Sequence, residues 1–309
     1  MTRGFFVVDN ALRRLFVSEG RLRAAWRILL FFLLFAALLF VFAPLAALYG
    51  GAGGGAGALV GQGIATLAAA LGAGWLLLGW IDRRRPGALG FAWTPSSARE
   101  LLAGLAIGGG PLVLAAAALA LAGWLEYRPD AGSAGTYVAA VVGALLVLAP
   151  AAAAEEALFR GYPFQVLVEA LGPVVATVAL SAAFALAHAG NPGANAFALV
   201  NIFLAGVLLS VAYLRTRSLW FATAVHLGWN WTMGSVLDLP VSGLEILDTP
   251  LYEPVFGGPD WVTGGGFGPE AGLVGTLGFV LALLAVMRLR MLGEAPEMQA
   301  LRPLVDGRL

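Results

Sequence analysis

VAAVVGALLVLAPAAAAEEALFRGY, residues 138–162, decides how this chain is read. An uncharged run from Val138 to Ala154 ends in two adjacent carboxylates, Glu155 and Glu156, followed by Arg160. An apolar run approaching twenty residues is a candidate membrane-spanning helix. An ionisable group inside such a helix costs roughly 2.5–3.5 kcal/mol on insertion scales, so it marks a functional site by default.

The rest of the chain has the same character. It is 60% hydrophobic and 12% charged, with a mean hydropathy of +0.86. A soluble domain carries about 25% charged residues. Apolar segments occur at about 27–49, 57–81, 101–124, 137–160, 173–189, 196–214, 219–237 and 270–287. The expected fold is therefore all-α: a polytopic membrane protein with about eight transmembrane helices in one bundle. Before the first span, residues 1–26 mix Phe and Leu with Arg13, Arg14, Arg21 and Arg23, a pattern that suits an interfacial amphipathic segment. Residues 27–290 form the membrane domain, with a motif core at 155–237, and 291–309 form a tail.

Charge placement orients the bundle. Arginines gather in the N-terminal segment, in the 82–100 loop, in the 215–218 turn and beyond Arg288. With eight spans these segments share one face, cytoplasmic by the positive-inside rule, and both termini lie on it. The opposite 238–269 loop holds Asp238, Glu245, Asp248, Glu253 and Asp260 and no basic residue. The formal net charge is zero, which leaves no general attraction for nucleic acid. There is no cysteine, which excludes disulfides, thiolate metal sites and a cysteine nucleophile.

The two histidines, His188 and His226, both sit in apolar segments. Glu156 and Arg160 are four apart on one helical face, the favoured order for an ion pair. Glu155 lies about 100° round the helix and is free to face something else. Phe184 and His188 share a face, as do His226 and Asn230. If the fourth helix continues past Arg160 with a bend at Pro163 and turns back at LGP (171–173), the resulting hairpin brings Glu155 and His188 to one depth. His226, seven residues beyond Leu219, lies about 10 Å from the arginine-bearing face. A cavity at that depth should open towards that face and leave the acidic loop dispensable for chemistry.

EEALFR (155–160), FALAH (184–188) and HLGWN (226–230) resemble, in order, the EExxxR, FxxxH and HxxxN motifs of the CPBP family. This is the intramembrane protease family that groups CAAX-prenyl endopeptidases with bacteriocin-processing and Abi-type immunity proteins. EGRLRAAWRILLFFLLFA (19–36) is similar to the entry of the first helix in many bacterial members. The resemblance implies an integral protein of a bacterial plasma membrane that hydrolyses a peptide or protein substrate near the lipid bilayer. Carried over by position, it implies that Glu155 with His188 activates water, that His226 with Asn230 stabilises the oxyanion, and that Glu156 and Arg160 form a structural pair. Family members are commonly described as metalloproteases, and Glu155, His188 and His226 would be the zinc ligands. A metal-free, glutamate-driven reaction is the alternative, since HExxH is absent and Glu155 cannot easily be both ligand and base. Two other functions fit the same residues: a non-catalytic scaffold or immunity member of the fold, and a proton-coupled transporter. Asn201, Ser181, Thr177 and Gln62 read as interhelical hydrogen-bonding residues, and Trp229 and Trp231 as packing residues.

Overall fold

The structure is a computed structural model and describes residues 15–18, 21–50, 55–245 and 248–308. Most of the segment expected to be amphipathic, including Arg13 and Arg14, lies outside these residues. Within the described part the chain is not one helix. Val17–Ser18 (β1) pairs with Arg21–Leu22 (β2), held where Arg21 and Arg27 both bind Glu169 at 2.8 and 2.6 Å.

Helices of six or more residues follow in order: α1 (Ala24–Gly50), α2 (Ala56–Trp80), α3 (Ser97–Leu121), α4 (Ala134–Phe159), α5 (Tyr162–Leu171), α6 (Pro173–Ala187), α7 (Ala196–Thr216), α8 (Leu219–Trp231), α9 (Leu273–Arg288) and α10 (Pro296–Leu301). Each of the eight expected spans contains a helix. Five stretches are long and apolar enough to cross a membrane: α1, α2, α3, α4 with α5, and α7. The helices α6 and α9 are apolar but shorter, and α8 runs on through a π turn, Thr232–Val236. The chain is an all-α integral membrane protein. Its two small ribbons lie at opposite ends of the bundle.

The hairpin expected from α4 to α6 is present, but its break is not at Pro163. Arg160 caps α4, and Gly161 separates it from α5. A Cβ at Gly161 would meet the Ala157 carbonyl oxygen at 2.2 Å. Pro163 sits in the first turn of α5, where its missing N–H has no intrahelical partner to lose. Gly172, with φ +86°, makes the sharp turn into α6.

The tip of this hairpin is wrapped rather than bare. Tyr162, Phe164, Gln165, Val166 and Val168 are buried against α1, the turn Pro86–Leu89 and the C-terminal segment. The Gln165 amide donates to the Ala88 and Leu89 carbonyls, and its oxygen accepts from Leu304 N–H at 2.9 Å. Arg27, itself 4% exposed, bridges Asp82 and Glu169, and Tyr162 donates to Asp82. Arg215 donates to the carbonyls of Met287, Leu289 and Leu292 at and beyond the end of α9, and Arg217 pairs with Asp306 at 2.8 Å. The arginine-bearing segments thus converge at one end, and residues 291–308, expected as a tail, fold back onto it.

At the other end the 122–133 and 238–272 segments pair as Leu125–Pro129 (β3) with Tyr252–Phe256 (β4), antiparallel. Tyr137 and Tyr252 donate to the Val236 carbonyl, and Tyr127 donates to that of Leu237. The three hydroxyls satisfy backbone acceptors freed at the end of the π turn. Burial raises the Asp238 carboxyl above the ordinary carboxylate range, against the opposing hydrogen bonds from Thr249.

Close packing of α3 on α8 sets the position of the motif helix. A Cβ at Gly108 would lie 2.1 Å from the Val225 carbonyl oxygen, and one at Gly228 would lie 2.5 Å from that of Leu105. Gly104-Leu-Ala-Ile-Gly108 is a small-xxx-small ridge of the kind that lets membrane helices approach backbone to backbone. Gly108→Val should therefore cost at least about 1–3 kcal/mol by overpacking, read as a lower unfolding temperature in detergent. Because the chain has no cysteine, Arg85→Cys and Glu253→Cys give single labelling sites at exposed positions. A membrane-impermeant maleimide should reach them from opposite faces, and labelling of both from one face would overturn the bundle's orientation.

Candidate active site

The three motif segments meet inside the bundle. Glu155 from α4, Phe184 and His188 from α6, and His226 and Asn230 from α8 line one cavity of about 660 Å³ of empty space, mouth included. Each is delivered by a local feature of the chain. Glu155 and Glu156 sit one turn before the Arg160–Gly161 break. His188 caps the short α6. His226 and Asn230 are one turn apart on α8, next to the α3 seam.

The two glutamates are separated as helix geometry requires, but Glu156 does more than hold Arg160. Arg160 Nη1 donates to Glu156 Oε1 at 3.1 Å, and neither residue has any exposed surface. The same oxygen lies 2.9 Å from His226 Nδ1. A carboxylate only accepts, so Nδ1 carries the hydrogen and Nε2 is turned towards the cavity. The arginine also donates to the Gly206 carbonyl at 3.1 Å, and its guanidinium lies 4.6 Å from the Phe184 ring centroid. Phe184 in turn packs edge-on against Phe159 and His226.

Glu155 has no such clamp. Its side chain is 37% exposed, yet Oε2 is buried, without a hydrogen-bond partner, and lies 3.8 Å from His226 Nε2. His188 Nδ1 lies 2.8 Å from the Phe184 carbonyl oxygen. The carbonyl can only accept, which fixes the hydrogen on Nδ1 and leaves Nε2 as an acceptor.

For zinc the donor types are suitable: a carboxylate and two imidazoles whose other nitrogens are held by a carboxylate and a carbonyl. The spacing is not that of a formed metal site. Among the described residues, the group of three whose ligand atoms lie within 4.8 Å of one another is the exposed-side Asp130, Asp248 and Glu253, and Glu155, His188 and His226 do not form such a group. No step is therefore derived through a metal.

The cavity reaches further towards the acidic side than its depth from Leu219 suggests. Val241, Ser242 and Leu244 line it, so part of the 238–269 loop is cavity wall. The π turn and the left-handed Asp238 (φ 55°) swing the chain back, and Gly243 N–H then bonds the Phe267 carbonyl. Two residues not singled out in the sequence also belong to the wall. Glu270, 4% exposed, accepts from Trp229 Nε1 at 3.0 Å and from Ser242 Oγ at 2.6 Å. Trp229 is thus more than packing, and it also stacks on Phe279 with centroids 3.9 Å apart. Asn201 does serve as interhelical glue, bonding the Glu270 and Gly272 carbonyls and Thr276.

Residues 137–232, which hold all three motifs, match the family model described as type II CAAX prenyl endopeptidase Rce1-like. Through this segment the chain is similar to that family, which is consistent with a CPBP family intramembrane protease. The match supports an intramembrane endopeptidase at the level of the family. No curated protein matches the chain. The match ends before Ser242 and Glu270, so those two are read from this chain's geometry alone.

Removing either partner of the buried pair strands a charge. Glu156→Ala and Arg160→Ala should each destabilise the protein by about 3–5 kcal/mol, measured by thermal unfolding or folded yield.

Proposed function

We propose that the cavity hydrolyses a peptide bond with a water activated by Glu155 and His188. The observation that carries this reading is the unpartnered Glu155 Oε2, directed into a cavity shared with both histidines and Asn230. His188 Nε2, free to accept, orients a water against Glu155. The carboxylate takes one proton as the water oxygen bonds to the substrate carbonyl carbon. The negative charge that develops on the carbonyl oxygen is met by the Asn230 amide and by His226 as the imidazolium, its Nδ1 hydrogen held by Glu156 and its Nε2 hydrogen turned to the oxyanion. When the C–N bond breaks, Glu155 returns the proton to the leaving amine. Glu156 takes part by holding His226 in place. It is a positioning residue as well as the partner of Arg160. The substrate is a peptide segment at or in the bilayer, and the arginine-bearing end with both termini faces the cytoplasm.

Glu155→Gln and His188→Ala should abolish proteolysis while leaving the folded yield largely unchanged, because neither side chain is fully buried. Asn230→Ala should lower the rate roughly 10²–10³-fold. Comparative membrane proteomics of wild type and Glu155→Gln supplies the readout. Peptides cut in the first and intact in the second support hydrolysis. Identical peptide profiles would instead favour an inert member of the same fold.

A further inference from the structure

Glu270 is a buried carboxylate in the wall of the cavity, and the hydrolytic chemistry does not use it. Its partners are an indole N–H and a hydroxyl, both neutral, at 3.0 and 2.6 Å. A carboxylate offers about four acceptor positions, so two remain open after these bonds. Its nearest donors hold it in one orientation, because Trp229 is itself clamped. The indole stacks on Phe279, and a Cβ at Gly278 would approach its ring to 2.9 Å.

The ionisable lining of the cavity is Glu155, Glu270, His188 and His226, and no arginine reaches it. Arg160, the basic residue of the motif core, is spent on Glu156 and Gly206. The imidazolium of His226 sits between Glu155 and Glu156, whereas Glu270 has no ion-pair partner among the described residues. Aliphatic side chains of α7, Ile202, Leu208 and Leu209, line the same cavity. An apolar wall ending in a carboxylate complements a long methylene stem with a cationic head. The same arrangement repels an acidic side chain or a free α-carboxylate, since a like charge in a poorly hydrated site is costly.

We infer that Glu270 and the α7 wall form a subsite for a lysine or arginine of the substrate, so that cleavage falls near a basic residue inside a peptide. This deepens the proteolytic reading and rests on it. Glu270 is here a specificity-determining residue, and its partners Trp229 and Ser242 set its position.

The test uses the full chain in proteoliposomes and internally quenched apolar peptides. Lysine, norleucine, alanine or glutamate is placed in turn at each position around the scissile bond. At one position the lysine peptide should show a KM about tenfold below its norleucine twin, the least expected of a close charge pair, and the glutamate peptide should be poorest. Norleucine keeps the stem and removes the head, so this arm needs no variant. Glu270→Gln should erase the lysine advantage and leave the kcat on the alanine peptide within about twofold of wild type. Glu270→Asp should restore part of the advantage. Equal KM values for lysine and norleucine at every position would overturn the inference, as would an equal loss on all peptides in Glu270→Gln, which is the signature of a purely structural strap. Fluorescence anisotropy of the same peptides on the Glu155→Gln protein separates the two readings. Charge-selective binding without any cleavage by wild type would retain the subsite and remove the protease, whereas cleavage without charge selection would do the reverse.

Discussion

The bundle is organised around one fully buried carboxylate. Glu156 takes Arg160 at 3.1 Å and His226 at 2.9 Å on the same oxygen. A charge withdrawn from water is tolerable only when paired and hydrogen-bonded, so the geometry of every group around Glu156 is constrained at once. The constraint spreads through Arg160, which reaches the Gly206 carbonyl on α7 and the Phe184 ring on α6. Four helices are therefore held in register by a cluster of four side chains and one carbonyl. The residue that stays outside this cluster is Glu155, whose freedom makes it available for chemistry.

Around that centre the two ends of the molecule are built differently. The arginine-bearing end is closed by ionic and amide contacts that recruit segments far apart in sequence, Arg27 with Asp82 and Gln165 with Leu304 among them. The acidic end is closed by backbone pairing of β3 with β4 and by tyrosine hydroxyls on the π-turn carbonyls. The motif helix α8 runs between these closures along a glycine seam with α3. The positions of His226 and Asn230 thus depend on small residues that carry no chemistry. Asn230 sits one residue from Trp229, so the outer loop and this part of α8 share a physical connection through Glu270.

Much of this was legible in the chain. Hydropathy located all eight helical segments, arginine asymmetry placed the loops on the right ends relative to one another, and helical spacing separated Glu155 from Glu156. The LGP turn was read correctly. The break before it was misplaced because Pro163 looked like the disruptive residue, whereas the clash at Gly161 depends on the backbone of the preceding turn. The second partner of Glu156 was invisible, since no spacing rule links residues 70 apart. Glu270 was missed for a related reason. It stands at the first position of the last apolar segment, 270–287, as an ordinary interfacial acid would, and only the return of the preceding loop buries it. The GLAIG ridge could have been recognised from its spacing alone. The N-terminal hairpin could not, because Arg21 is held by Glu169 on a distant helix.

The helices that flank the cavity are unequal in a way that the surrounding lipid must accommodate. At 1.5 Å per residue, the 26 residues of α4 extend about 39 Å, while the 15 of α6 and 16 of α9 extend only about 22–24 Å. Both short helices expose aliphatic residues, Val174, Val178 and Leu186 on one and Leu277, Leu281 and Leu284 on the other. A hydrocarbon layer near 30 Å thick cannot match them without thinning or drawing in headgroups. The bilayer is consequently shallowest beside the wall where α6 ends at His188. Hydrophobic mismatch there draws headgroups and water towards the cavity wall, and it makes acyl-chain length a determinant of how the site is hydrated.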